Sequence, residues 1–353
     1  MLMLKKTIAA LSLLSILAAC QNDENPSQPE PKPRQDINLT RAEQEFMDKG
    51  TDFAFRFFDQ VCSTEKEKPN VFVSPLSASL CLSMITNGAT DNTLAEMQDV
   101  LGFPANTFSL DDLNNYNQKL TSALLDLDNT TQLGIANSIW IEEGFKVYDS
   151  FVDVNKKMYD AQVQELDFTS PTAKDVINQW CATQTNNCIK EVIQEIPADA
   201  RMYLINALYF KGIWKSQFDK SATGQDNFTN VDGSQQKVAM MNQTATFNYT
   251  QTDDFSIAEL PYGNEAFSMV ILLPSGDKTL DESLPSLNYE NWKQWSKNMA
   301  GKELQIKLPR FKVEYDKELE EDMIAMGMKD AFDAYKAKFA NMSGAELYIG
   351  LLQ

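Results

Sequence analysis

The segment from Ser74 to Ile85 sets the scale of whatever this chain folds into. Ser74-Pro75 opens a helix in which Leu76, Leu80, Leu82, Met84 and Ile85 leave little polar surface. A helix that is apolar all round has to be enclosed by other elements rather than laid on a surface. The flanking sequence supplies those elements. Thr40 and Glu43 form a capping box, after which Phe46, Phe53, Phe57 and Val61 recur at helical spacing. A third helix is expected from Thr90 through Leu94, Met97 and Leu101, stopping at Gly102. Strand signals follow at Gly134 to Ile141, Met202 to Phe210, Phe267 to Leu273, Leu304 to Leu308 and Phe311 to Tyr315, rich in Ile, Tyr, Trp and Val. Helical stretches intervene at Phe151–Tyr159 and Ala173–Glu195. Long strands interleaved irregularly with helices predict one large α+β domain rather than a regular βαβ array.

Composition removes several kinds of chemistry. There is no histidine among the 353 residues, so Ser-His-Asp and Cys-His nucleophiles, H-E-x-x-H zinc sites and zinc deaminase centres cannot be assembled. Carboxylate-pair glycoside hydrolysis needs only Asp and Glu, but among 50 acidic residues no pair stands out. With 31 basic residues against those 50, the formal charge is -19. A field of that sign repels phosphate backbones and argues against a nucleic-acid partner. The five cysteines, Cys20, Cys62, Cys81, Cys181 and Cys188, form no C-x-x-C, so neither a metal nor a redox cofactor is expected. On a continuous helix Cys181 and Cys188 stand about 10.5 Å apart, beyond disulfide reach. Buried free thiols are the expectation for the four internal cysteines.

The N-terminus reads as an export signal over residues 1–19: Lys5 and Lys6, then a short apolar run from Ile8 to Leu17, too short to span a bilayer. Leu17-Ala18-Ala19-Cys20 resembles a lipobox, which implies cleavage before Cys20 and lipidation of that cysteine. The acidic stretch Gln21 to Asn25 resembles the surface-export signal of bacterial lipoproteins. Together these imply an exported, lipid-anchored protein on the outer membrane or cell surface. Residues 20–39, with Pro26, Pro29, Pro31 and Pro33, read as an extended polar tether, and residues 40–353 as the folded domain.

Within that domain a series of motifs resembles the serpin family of protease inhibitors. They are Asn70-Val71-Phe72-Val73-Ser74-Pro75-Leu76-Ser77, Asn87-Gly88-Ala89-Thr90-Asp91-Asn92-Thr93, Ala136-Asn137-Ser138-Ile139-Trp140, and Ile177-Asn178-Gln179-Trp180. Leu204-Ile205-Asn206-Ala207-Leu208-Tyr209-Phe210-Lys211-Gly212-Ile213-Trp214 is the most telling. Glu259-Leu260-Pro261-Tyr262, Leu308-Pro309-Arg310-Phe311 and Met326-Gly327-Met328 follow in family order.

The resemblance implies a serpin fold: a large main β-sheet, two smaller sheets and about nine helices. It also implies inhibition rather than catalysis. A serine or cysteine protease attacks an exposed loop, and the cleaved loop enters the main sheet as an added strand, distorting the trapped enzyme. Ser74, Ser77 and Asn206 match the family's shutter, a polar cluster beneath the sheet where strands part. Trp214 matches the breach, where insertion begins. Without the resemblance, Ser74 and Ser77 read as caps of the buried helix and Trp214 as core packing. The sequence closes at Ala345-Glu346-Leu347-Tyr348-Ile349-Gly350-Leu351-Leu352-Gln353, a point that in a complete serpin leads into a further strand, the hinge and the reactive loop. The expectation is a truncated, inactive inhibitor that lacks the scissile bond. The alternative is a non-inhibitory surface lipoprotein that uses the serpin body for binding.

Overall fold

The structure, a computed structural model, describes residues 30–353 apart from Val231. The expected signal segment, Cys20 and most of the tether lie outside the described residues. Where the tether enters, Glu30 and Lys32 are not free of the domain. The Asn129 side chain accepts from the Lys32 N–H at 2.8 Å and donates to the Glu30 carbonyl at 3.0 Å.

Among the described residues there are nine α-helices and eight strands. Helix α1 (Arg41–Thr64) begins at the expected capping box, Thr40 with Glu43 closing both bonds, and buries Phe46, Phe53, Phe57 and Val61. Helix α2 (Pro75–Thr86) is capped by Ser74 and is buried continuously from Leu82 to Thr86. Helix α3 (Asp91–Leu101) ends at Gly102, whose φ of 85° is the left-handed conformation that a Cβ disfavours. Helix α4 (Leu110–Asp126) and helix α5 (Asp149–Tyr159) bracket β1 (Gln132–Glu142), and β2 (Gln162–Leu166) and α6 (Ala173–Gln184) follow.

The main sheet runs β2-β1-β3, with β3 covering Met202–Lys211; β1 pairs with β2 in parallel and with β3 antiparallel. Strand periodicity divides its residues between two cores. Ile139 and Ile141, with Met202 and Leu204 of β3, face the large core built by α1, α2 and α3. Trp140, Tyr203, Ile205 and Ala207 face a second core on the opposite side, completed by Ile177 and Trp180 of α6. Trp140 and Trp180 meet edge to face, with centroids 6.3 Å apart, a geometry aromatic quadrupoles favour.

Strands β4 (Gly224–Thr229), β5 (Gln235–Gln251), β6 (Phe255–Pro261), β7 (Ser268–Pro274) and β8 (Ala300–Pro309) make the other ladder, in which β5 bonds β4, β6 and β8 in turn. The two smaller sheets expected from the family are therefore joined through one 17-residue strand. Short helices α7 (Leu280–Ser283) and α8 (Tyr289–Lys297) follow β7, and α9 (Glu320–Met326) follows β8.

Three sequence expectations are corrected. The helix expected over Ala173–Glu195 stops at Gln184, because Asn186 and Asn187 take left-handed φ values of 50° and 60°. The chain then folds back on α6, where the Asn178 amide accepts from the N–H groups of Val192 and Ile193 and donates to the Ile193 carbonyl. That reversal also moves Cys188 off the helix; it is exposed, not buried, while Cys181 is buried and Cys62 and Cys81 are half-buried. Finally, Phe311–Tyr315 is not a strand, since no described neighbour hydrogen-bonds along it.

Charge holds that segment instead. The Lys317 ammonium lies 3.0 Å from Glu65 at the end of α1 and 3.2 Å from Asp322 of α9, with all three side chains largely buried. Asp322 also accepts from Thr64 at 2.8 Å. Removing the cation strands two carboxylates in a low-dielectric pocket, and breaking such a pair costs about 3–5 kcal/mol. Lys317→Ala is expected to lower the urea midpoint accordingly, and a loss under about 1 kcal/mol would place the network among weak surface pairs.

Candidate functional site

The register of β1 against β3 sets Asn137 opposite Asn206. Both sit at the parity of the residues facing the large core, so two amides point into an apolar layer. Burying an amide without partners costs a few kcal/mol, and the geometry shows how each is satisfied. The Ser77 hydroxyl, in the first turn of α2, donates to Asn206 Oδ1 in a short contact. The Asn206 amide then donates to Asn137 Oδ1 at 2.8 Å, and the Asn137 amide donates to the Tyr159 carbonyl at 2.7 Å. Ser74 stands one step back: its Oγ accepts from the Ser77 N–H at 3.3 Å, which is helix capping. The three expected shutter residues are thus in one contiguous cluster, with Ser74 acting on Asn206 only through Ser77. Helix α2 packs along β3 here, and the Cys81 thiol donates to the Leu204 carbonyl at 3.5 Å. Burial pushes that thiol up to about 12, so it stays protonated and is a poor nucleophile.

Trp214 lies three residues beyond β3. It forms an isolated bridge with Tyr262 and stacks on that ring at 4.4 Å with an interplanar angle of 17°. The Gly212 backbone approaches Tyr262 so closely that a Cβ there would meet the ring at 2.6 Å. Phe210 meets Tyr262 and Phe267 edge to face. The hairpin that carries Tyr262 is pinned in turn by Asp128. This carboxylate, 4% exposed, accepts from Thr130, Thr131 and the Asn264 N–H. Burial raises its pKa, but the donated bonds outweigh that and hold the group below the ordinary carboxylate value. Gly263, at φ 37°, leaves room for Asp128 and Thr130, which a Cβ would strike.

Sequence reasoning passed over Asn137, Tyr159 and Asp128. The signal for Asn137 was available: it is an amide sharing the strand parity of Ile135, Ile139 and Ile141. Asp128 shows locally only a turn closed by Thr130 and Thr131; the partner that makes it a pin, the Asn264 N–H, lies 136 residues away in sequence.

A polar cluster thus lies between a buried helix and the middle of a main-sheet strand, with an aromatic cluster at that strand's end. The family model described as Serpin (serine protease inhibitor) matches residues 48–352, and the chain belongs to the serpin family. It is 33% identical over 304 residues to an uncharacterized serpin-like protein of Methanosarcina acetivorans, covering 84% of this chain and 70% of that one. It is 36% identical over 289 residues to Serpin B6 of Macaca fascicularis, covering 79% and 76%. Among solved structures, the thermophilic serpin tengpin in its latent state superposes with a TM-score of 0.80 at 31% identity, covering 90% of this chain and 84% of that one. Emu ovalbumin gives a TM-score of 0.81 at 26% identity, covering 86% and 82%. Members of the family are mostly protease inhibitors, not catalysts.

Two outcomes follow from this geometry. Ser77→Ala leaves Asn206 Oδ1 buried without its donor and is expected to cost about 1–3 kcal/mol in denaturant melts; Ser74→Ala, losing only a cap, is expected to cost about 1 kcal/mol. Asp128→Asn tests the sign of the carboxylate's linkage. A depressed folded pKa gives stability that is present above the ordinary carboxylate value, about 3.9, and is lost as pH falls through the folded value. The Asn variant should therefore be less stable at pH 7 and lose less between pH 5 and 3 than the parent; parallel acid limbs would contradict it.

Proposed function

We propose that this domain is the frame of an exported, lipid-anchored protease inhibitor that works by admitting a strand into its main sheet. The observation that carries the reading is the Ser77–Asn206–Asn137 cluster. Its partners are side-chain hydroxyls and amides, which can change partners as β3 separates from α2, a property suited to a bistable element. Trp214 and its stack on Tyr262 lie at the end of β3, where an entering strand would first displace contacts. β3 hydrogen-bonds to a neighbouring strand on one side alone among the described residues, so its other edge is available for strand addition.

In this reading the target is a serine or cysteine protease, captured once per inhibitor. Cys20 carries the lipid, and the domain faces outward from the membrane.

Incubation with trypsin, chymotrypsin, subtilisin and papain tests the inhibitory part. Residues 20–353 followed by a serpin hinge and reactive loop are expected to give a 1:1 adduct, surviving boiling in SDS, with at least one of the four. Simple cleavage by every protease it meets overturns the reading. For the anchor, Cys20→Ala is expected to shift the protein from the detergent phase to the aqueous phase in Triton X-114 partitioning; an unchanged distribution refutes lipidation at Cys20.

A further inference from the structure

Asn129 holds a stretch of backbone. Its amide oxygen accepts from the Lys32 N–H at 2.8 Å, and its nitrogen donates to the Glu30 carbonyl at 3.0 Å. The stretch is suited to being held this way. Pro29, Pro31 and Pro33 alternate with Glu30 and Lys32, and proline lacks an N–H and favours an extended backbone with no internal hydrogen bonds. The Lys32 N–H and the Glu30 carbonyl are therefore open to an outside partner, and a stiff segment loses little freedom in meeting one. Lys32 Nζ adds an ion pair with Asp126, the last residue of α4, at 2.8 Å. Both partners are exposed, so this pair fixes register more than it adds strength.

The mount for the tether is firm. Asn129 follows Asp128, which accepts from the Asn264 N–H, and the Asn264 side chain donates to the Leu127 carbonyl at 2.7 Å. The turn is thus joined to the hairpin that carries Tyr262. Farther along the chain, Leu39 packs on the large core and Glu43 accepts from Lys119 of α4 at 2.7 Å. Residues 30–40 therefore run between two fixed points beside α4.

The place of the mount sets a direction. Gln132, three residues past Asn129, pairs with Lys211 at the Trp214 end of β3, whereas Ile141 pairs with Met202 at the other end. At 3.3 Å per residue those ends are about 30 Å apart. An extended proline-rich chain covers about 3.1 Å per residue, so the stretch from Cys20 to Glu30 reaches at most about 31 Å, and from Cys20 to Thr40 about 62 Å. Holding the chain at residues 30–32 halves the free tether and moves its origin to the Trp214 end.

We propose that Asn129 and Asp126 clasp the proline-rich tether at Glu30 and Lys32, and so hold the Trp214 end of the domain toward the membrane. The surface around that end is the one that faces lipid headgroups, and the Met202 end of β3 stands outermost. This rests on the reading of Cys20 as the lipid anchor, but its test supplies an anchor of its own, so the two fail separately.

Six histidines in place of residues 1–20 serve as that anchor. The chain has no other histidine, so the tag alone binds phosphatidylcholine vesicles that carry a nickel-chelating lipid. A fluorophore on p-acetylphenylalanine in place of exposed Gln217, beside Trp214, or of exposed Glu143, just past β1, is read against an acceptor dye on the headgroups. Energy transfer from position 217 is expected to exceed that from 143 by at least about twofold, given the 30 Å or so between the ends of β3. Asn129→Ala should bring the two values together. Equal or reversed transfer in the parent, or a difference that Asn129→Ala leaves intact, overturns the proposal. Away from vesicles, trypsin cleavage after Arg34 should be about tenfold faster in Asn129→Ala, which loses both bonds to the tether, with the urea midpoint unchanged; an unchanged rate counts equally against the clasp. Should Asn129→Ala not accumulate as folded protein, Asp126→Ala, at the exposed end of α4, carries the same expectations at smaller size.

Discussion

Two asparagines on the inward face of the main sheet impose the constraint that organises the rest. At positions 137 and 206 the strand pattern of Ile and Leu is interrupted by an amide, and the register sets the two side by side. Neither can be satisfied by the sheet, whose backbone groups are already used in the ladder. A donor has to come from beneath, and it comes from Ser77 in the N-terminal turn of α2. This fixes where α2 starts relative to β3. Once the start is fixed, its apolar remainder runs through the core toward α3 and α5.

The two ends of this arrangement are held by different physics. Around Asn206 the contacts are directional hydrogen bonds, strong in place and replaceable by others of similar geometry. Around Trp214 they are stacked and edge-on rings whose attraction is broad and depends mostly on covered area. Asp128 ties the aromatic end down through a charge-assisted set of bonds, so the soft cluster rests on a rigid turn. β3 is thus held at its middle by polar bonds and at its end by an anchored aromatic cluster.

Much of this was legible in the sequence where the signal is local. The Thr40–Glu43 capping box, the all-apolar helix, the Gly102 stop and the positions of β1, β3, β7 and β8 all follow from residues within a turn or two of one another. The fold class and the cluster of Ser74, Ser77 and Asn206 followed from motifs in order along the chain. What escaped depends on distant partners. Phe311–Tyr315 alternates like a strand, yet alternation makes a strand only when a neighbour bonds to it; here Lys317 fastens the segment through Glu65 and Asp322. The helix over Ala173–Glu195 kept its apolar spacing past its true end, because two asparagines adopt backbone angles that periodicity does not register. Tyr159 looked like the close of an amphipathic helix, and only the fold shows both of its polar ends in use.

The length of β5 has a mechanical consequence. Its first residues, Gln235 to Met240, pair with β4, those from Met240 to Tyr249 with β8, and those from Asn248 to Gln251 with β6. Only Asn248 and Tyr249 engage both β8 and β6. The β6–β7 hairpin, which carries Tyr262 on its turn, is thus spliced to the remainder of its ladder across a two-residue overlap, and the apolar cluster of Phe247, Leu260 and Leu308 closes that splice from one face.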